Sequence, residues 1–519
     1  MRLAKFAWAK AVVIAAATLA IGFAGPASAQ ARAKVEATVA IDTDQPGPVI
    51  EPAIYAQFAE HLGTGIYGGI WVGPDSPIPN TDGYRTDVLE ALRHLQVPAI
   101  RWPGGCFADD YDWRDGIGPR EGRPARANAN WGGVETNGFG TNEFMNFAEL
   151  VGADAYVAGN MGSMEPRAMG QWIEYITSNS DSTLAQQRRA SGRDKPWKVK
   201  YFGIGNETWG CGGNMTAETS AAMHRRYQGF IHVPGENGPM VRVASGASGD
   251  DVHFTEVMMR DAGKHMDAIS LHQYTIRNDW EHKGSATDFD EAGWATSIAH
   301  ARRMDDLLVQ HSAVMDRYDP EKRVALYVDE WGNWFDQEPG TPALYQQNSL
   351  LDAVTAATTL NIFHRHTDRV KLTAIAQMVN VLQAMILTDG PRMVLTPTYH
   401  VFEMYRPFQG ATPYAMEIAS PDYTEGDITV PMVDGTAARG KDGKLWLALV
   451  NTDPRRSAEV ALGEGRTATG RVLTAGSISA HNTFDNPNAV APRPYSARAG
   501  RDGLKQTLPA RSVVVVSVD

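Results

Sequence analysis

Only two cysteines occur in 519 residues, Cys106 and Cys211. That excludes a small scaffold built on disulfides and a zinc site of paired-cysteine spacing. Positive charge is also scarce. The chain has 48 Lys and Arg against 60 Asp and Glu, a net charge of −12. A nucleic-acid partner wants a basic face, and so does an anionic membrane surface, so neither is expected. After the N-terminal region no apolar run reaches the roughly 20 residues of a membrane span. No Gly-rich dinucleotide or phosphate fingerprint follows the first strand-like run, and no HExxH occurs. The His-x-His pair of many barrel metallohydrolases is also missing, since the corresponding stretch is "FAEHLG" (58 to 63). No metal and no cofactor is expected.

The N-terminus has the layout of an export signal. Arg2, Lys5 and Lys10 surround the start of an apolar stretch, "AVVIAAATLAIGFAG" (11 to 25), and "ASA" (27 to 29) offers small residues for cleavage. Cleavage after residue 29 is favoured over a retained anchor, because the apolar stretch is short for a span. The mature chain is then expected in the periplasm or outside the cell, with no membrane attachment.

Length alone points to two or more domains. Between residues 51 and 410 eight short apolar runs alternate with amphipathic stretches. The runs include "AIYAQF" (53 to 58), "VPAIRW" (97 to 102), "VKYFGIG" (199 to 205), "MDAISLH" (266 to 272), "VALYVDE" (324 to 330) and "VKLTAIAQ" (370 to 377). Between them, stretches such as "YRTDVLEALRHL" (84 to 95) repeat apolar residues at helical spacing. Eight such units predict a (β/α)8 barrel of TIM type. From residue 411 to 519 short strands alternate with Gly, Pro and Asp, which predicts an antiparallel β-sandwich. "KVEATVAID" (34 to 42), in the segment 30 to 50, is strand-like and is expected to join that sheet.

Barrel enzymes carry their chemistry at the C-terminal ends of the strands. Those ends hold Glu60 and His61, Arg101, Asn206 and Glu207, His272 and Tyr274, Asp329 and Glu330, and Gln377. Trp102, Trp113, Trp131, Trp209, Trp331 and Trp334 crowd the loops that follow. Neutral hydrogen bonders with aromatic platforms suit a sugar. Strands 4 and 7 face each other across a barrel mouth, so Glu207 and Glu330 can flank one glycosidic bond. Glycoside hydrolysis needs such a carboxylate pair. Arg101 is the candidate neighbour that keeps Glu330 ionised. Cys106 and Cys211 both follow strand ends on this face and are expected to lie close together; whether they bond stays open.

Several longer motifs carry a resemblance: "IYAQFAEHLGTGIYGGIW" (54 to 71), "RWPGGCFADDYDWRDGIGPR" (101 to 120), "GIGNETWGCGGNM" (203 to 215), "DEWGNWF" (329 to 335) and "TPTYHVFEMY" (396 to 405). In this order they resemble the α-L-arabinofuranosidases of glycoside hydrolase family 51, over nearly all of the mature chain. The resemblance implies a C-terminal sandwich of jelly-roll type. It implies Glu207 as acid/base and Glu330 as nucleophile of a retaining hydrolysis. It places sugar contacts on Glu60, Asn206, Tyr274 and Gln377, and a wall of the site on Trp334. Arg101, His272 and Cys106 complete the candidate substrate-binding set, although Cys106 stands where many members have Asn. The expected partner is an arabinofuranosyl oligo- or polysaccharide, and a homo-oligomer, often a hexamer, is the family habit. Two rivals remain: another retaining barrel hydrolase such as a β-xylosidase or endoglucanase, and a non-catalytic carbohydrate-binding barrel.

Overall fold

Strands followed by helices of one apolar face bury everything if the strands close into a ring and the helices surround it. The computed structural model describes residues 35–463 and 465–519 and closes in this way. Eight parallel strands form the ring: Ala56–Phe58 (β1), Ala99–Trp102 (β2), Asp154–Gly159 (β3), Tyr201–Ile204 (β4), Val241–Ser248 (β5), Ala268–Thr275 (β6), Ala325–Asn333 (β7) and Val370–Ile375 (β8). Closure runs through β8 and β1, with Ala374 opposite Ala56 and Ile375 opposite Gln57. Residues 1–29, read as an export signal, lie outside the described residues.

The first strand is shorter than "AIYAQF" implies. Pro52–Tyr55 forms a 3₁₀ turn, with Ile54 N–H donating to Glu51 O at 3.0 Å. Proline opens such a turn readily because it lacks an N–H to lose. Inside the ring, alternate residues point inward. Ala99, Tyr156, Tyr201, Val243, Tyr327 and Leu372 form one buried layer there. This layer is the floor on which the site is built.

The C-terminal region adds Thr412–Ala419 (β9), Val433–Arg439 (β10), Leu445–Asn451 (β11), Ala458–Ala461 (β12), Thr467–Leu473 (β13), Arg493–Arg498 (β14), Lys505–Leu508 (β15) and Ser512–Val518 (β16). With the N-terminal strand Val35–Pro46 they make a nine-stranded sheet, mostly antiparallel. The N-terminal strand lies between β9 and β12, antiparallel to the first and parallel to the second. The N-terminal strand joins the C-terminal β-region as expected, and its pairing with β12 is the one parallel pair among antiparallel ones. The reason is topological: the N-terminal strand enters from outside the run of hairpins, so no hairpin sets its direction.

Barrel and sheet are joined by buried polar contacts. Trp294 Nε1 donates to Thr452 O at 2.8 Å. Asp434 accepts from Asn361 Nδ2 at 3.1 Å and from Arg365 Nη1 at 3.3 Å, with Arg302 at 3.5 Å. Truncating Asp434 to Ala leaves these donors facing a buried void. The expected cost is about 1–3 kcal/mol, seen as a lower urea midpoint. An unchanged midpoint would mean that apolar packing alone joins the two parts.

Candidate active site

The next inward positions above the tyrosine layer are charged. Arg101 follows Ala99 by two residues on β2, and Asp329 follows Tyr327 by two on β7. The Arg101 guanidinium lies over the Phe58 ring, 4.5 Å from its centroid, and the Tyr156 hydroxyl donates to Asp329 Oδ2 at 2.6 Å. Arg101 is 2% exposed, so its charge must be satisfied locally. Nη1 donates to Glu330 Oε1 at 2.8 Å, Nη2 to Asn206 Oδ1 at 2.6 Å, and Nε lies 3.5 Å from Asp329 Oδ2. One side chain thus ties the ends of β2, β4 and β7 together.

His272, on β6, bridges the remaining gap. Its Nδ1 lies 2.8 Å from Glu207 Oε1 and 3.5 Å from Glu330 Oε2, and its Nε2 lies 3.1 Å from Asp329 Oδ1. Burial alone would lower its pKa. The charge of Glu330 and the bonds to Asp329 and Glu207 outweigh burial and push it up to about 10. The ring is an imidazolium at neutral pH. Burial likewise works against the Asp329 charge, yet Arg101 and His272 hold that carboxyl below its ordinary value. Tyr274 donates to Glu330 Oε2 at 2.8 Å. Glu330 therefore has both oxygens engaged, one by Arg101 and one by Tyr274.

A second carboxylate closes the other side. Glu60, just past β1, accepts from Phe107 N–H at 3.1 Å, Trp131 Nε1 at 2.9 Å and Gln377 Nε2 at 3.0 Å. Burial, then the charge of Glu330, raises its pKa to about 7. The glycines of "WPGGC" are explained here. A Cβ on Gly104 would sit 2.8 Å from Glu60 Cγ, and one on Gly105 would sit 2.8 Å from Glu330 Oε1. Only glycine lets this backbone pass between the two acids.

Glu207 is placed differently. It lies beyond the end of β4 with φ +40°, a left-handed conformation that costs a non-glycine residue about 1 kcal/mol or more. Cys211, four residues on, forms a disulfide with Cys106, with Cα atoms 5.5 Å apart. The Cys211 sulfur is 3.6 Å from Glu207 Oε2; in a disulfide it has no proton to donate. Cys106 therefore offers a sugar no thiol. Trp334 packs edge-on against Tyr274 at 4.8 Å and against Trp280 at 5.4 Å, forming an aromatic wall on the open side.

The structure thus brings together Glu60, Arg101, Cys106, Asn206, Glu207, His272, Tyr274, Glu330, Trp334 and Gln377. The sequence marks Asp329 only as a strand-end residue and Trp131 only as a loop aromatic, whereas the structure makes Asp329 the partner of both cations and Trp131 a donor to Glu60; Asp109 is not marked at all. Asp109 accepts from Asn206 N–H at 2.6 Å while 4% exposed. Among the described residues, Glu207, His272 and Glu330 bring ligand-type atoms within 4.8 Å of one another.

A barrel carrying a carboxylate beyond β4 and another on β7, joined through one imidazolium, has the fold and site of a glycoside hydrolase. The comparisons narrow the class. Residues 91–292 match the α-L-arabinofuranosidase 1 domain family and residues 329–512 the α-L-arabinofuranosidase C-terminal domain family. The chain is similar to an intracellular exo-α-L-arabinofuranosidase of Bacteroides ovatus, 46% identical over 501 residues, 95% of this chain and 97% of that one. It is also similar to the crystal structure of a GH51 arabinofuranosidase from Xanthomonas axonopodis pv. citri. That match has 51% identity and a TM-score of 0.92, and covers 94% of this chain and all of the other. An arabinose complex of the Thermotoga maritima α-L-arabinofuranosidase matches at 30% identity and a TM-score of 0.82, over 93% of this chain and 100% of that one. The chain belongs to the α-L-arabinofuranosidases of glycoside hydrolase family 51. The Bacteroides relative is described as intracellular, so export is not inherited from it. Among the described residues no helix is long and apolar enough to cross a membrane.

The His272 charge has a consequence for stability. Its pKa is near 6.5 ordinarily and about 10 in the folded protein. A raised histidine contributes stability that is complete below about pH 6.5 and is lost as pH rises through about 10. Thermal unfolding should therefore shift to lower temperature between pH 7.5 and 10, and His272→Gln should flatten that limb. An equal slope in the variant would remove the charge assigned to His272.

Proposed function

We propose that the protein is a retaining, exo-acting α-L-arabinofuranosidase. It removes terminal non-reducing α-L-arabinofuranosyl residues from arabinose-containing hemicellulose or oligosaccharides by double displacement. The observation that carries this reading is the separation of the two acids: an oxygen of Glu207 and one of Glu330 lie within 4.8 Å of each other. Retaining enzymes hold their carboxyl groups about 5–5.5 Å apart, while inverting ones leave about 6.5–9.5 Å for a water.

In this reading Glu330 is the nucleophile. Arg101 and Tyr274 fix both of its oxygens and aim it at the anomeric carbon. Glu207 protonates the leaving oxygen, and a covalent arabinosyl–enzyme forms on Glu330. Glu207, now ionised, takes a proton from the water that attacks the anomeric carbon and releases the sugar. His272 lies between the two acids and stabilises whichever of them is ionised. Glu60, Asn206 and Gln377 bind sugar hydroxyls, and Trp334 walls the pocket. A β-xylosidase or endoglucanase would share the acids and differ in the pocket; a panel of aryl glycosides separates them. We further propose export with cleavage after residue 29, supported by the signal-like N-terminus and by a disulfide beside the site. N-terminal sequencing of the periplasmic fraction reads this directly, and an intact N-terminus in the cytoplasm alone would overturn it.

Glu207→Ala should lower kcat/KM about 10²–10⁴-fold on natural linkages and by far less on aryl arabinofuranosides with good leaving groups, which need no proton. Azide should restore part of its turnover and give a glycosyl azide of retained configuration. Glu330→Ala should abolish turnover for every leaving group. NMR of the first-formed sugar should show the anomer of the substrate. An inverted first product, or the two variants exchanging behaviours, would reverse the assignment.

A further inference from the structure

Glu207 does not stand on a strand. Its strained backbone persists only if the surroundings over-determine it. Several of the contacts at its own turn are local: Gly210 N–H and Gly212 N–H donate to Glu207 O at 2.7 and 3.1 Å. Others come from elsewhere in the chain: Gly205 N–H donates to Gly159 O at 3.1 Å, Thr208 N–H to Ser245 Oγ at 3.2 Å and Trp209 Nε1 to Gly246 O at 3.2 Å, and two more reach the loop from the β2 side. One is the Cys106–Cys211 disulfide. The other is the buried carboxylate of Asp109, on the loop after β2.

Asp109 is tied on both oxygens. Oδ1 accepts from Met161 N–H at 2.6 Å and Gly162 N–H at 2.9 Å, just past the end of β3. Oδ2 accepts from Asn206 N–H at 2.6 Å, one residue before Glu207. Ser163 Oγ donates to Asp109 O at 2.9 Å and fixes the loop from behind. The packing leaves no slack. A Cβ on Gly212 would lie 1.9 Å from Asn206 O and 2.7 Å from Asp109 Oδ2. One on Gly162 would lie 2.9 Å from Asp109 O and 3.1 Å from Gly212 O. Three loops, after β2, β3 and β4, therefore meet at one carboxylate. Among the described residues no ion pair is found at Asp109, and Arg101 acts on it only at a distance. What it does hold is the peptide that leads into Glu207.

We propose that Asp109 is the positioning residue of Glu207: its carboxylate anchors the Asn206 N–H to the β3 end and so sets the angle at which the acid reaches the leaving oxygen. Asp109 does not touch the sugar. It acts through the backbone, and it rests on the acid/base role proposed above for Glu207.

The variant Asp109→Asn isolates this contact. Its amide must turn an NH₂ toward some N–H donor. Facing it to Asn206 sacrifices one bond, whereas facing it to Met161 and Gly162 sacrifices two. The variant thus releases the arm that leads to Glu207 and keeps the other. A misaimed acid matters only when the leaving group needs a proton. We expect kcat/KM to be near that of the unmodified protein on a dinitrophenyl arabinofuranoside and to fall about 10- to 100-fold on a phenyl one. Gly162→Ala, an exposed position pressing on Asp109 from the other side, should show the same trend more weakly, and it decides the matter if Asp109→Asn does not fold. A loss equal for all leaving groups, or no loss, overturns the proposal. Glu207→Ala measured beside them separates the two ideas. If it shows no leaving-group dependence, the acid/base assignment fails; if it does and the Asp109 and Gly162 variants do not, only the positioning role fails.

Discussion

A single buried guanidinium organises this site. Arg101 cannot reach water, so its charge needs partners on every side. It finds them at the ends of two other strands: Glu330 and Asp329 on β7 and Asn206 beyond β4. Each partner is costly to bury alone and is satisfied only in this arrangement. His272 adds a second cation and meets Glu207, Glu330 and Asp329. Arg101 and His272 each face carboxyl groups on more than one side, which is how so many ionisable groups are tolerated at the top of a packed barrel.

The tyrosine layer beneath makes this arrangement rigid. Tyr156 donates to Asp329, its ring faces Tyr201 at 6.0 Å, and Tyr201 in turn faces Tyr327 at 6.0 Å. Phe58 supports the face of Arg101. Aromatic rings in a closed barrel have little room to reorient, so the charged layer inherits their positions. The barrel interior thus supplies preorganisation of Glu330 as well as stability.

Much of this was legible in the sequence because it follows local periodicity. Strand–helix alternation marked the barrel, and strand ends marked Glu60, Arg101, Asn206, Glu207, His272, Tyr274, Glu330 and Gln377. The failures have a common cause. The residues of "AIYAQF" look like one strand, but Pro52 just before them starts a turn that consumes half of it. The direction of Val35–Pro46 depends on which edges the C-terminal hairpins leave open, and nothing in its own residues encodes that. Asp109 sits in "FADDYDW", an acidic loop like many others. Its role depends on N–H groups 52 to 97 residues away, and backbone donors leave no trace in residue identity. Trp131 reads as one aromatic among several until its indole is found on Glu60.

The two acids are held by different means, and the difference matches the tasks proposed for them. Glu330 lies within β7, paired with His272 of β6, and its side chain is 7% exposed. A nucleophile must stay dry and aimed at one carbon through the whole cycle, and a strand held by neighbours on both sides allows little else. Glu207 lies past the end of its strand, its side chain 17% exposed. It must meet a leaving group first and a water afterwards, two ligands of different size in the same place. A loop can present a side chain to the mouth where a strand cannot, but a loop alone would leave the aim of the acid loose. The left-handed turn, the disulfide and the Asp109 carboxylate give that loop the constraint the sheet gives Glu330. On the proposed roles, the site joins a nucleophile fixed by fold topology to an acid fixed by local clamps, so the geometry of the acid can be altered by substitutions that leave the nucleophile and the barrel untouched.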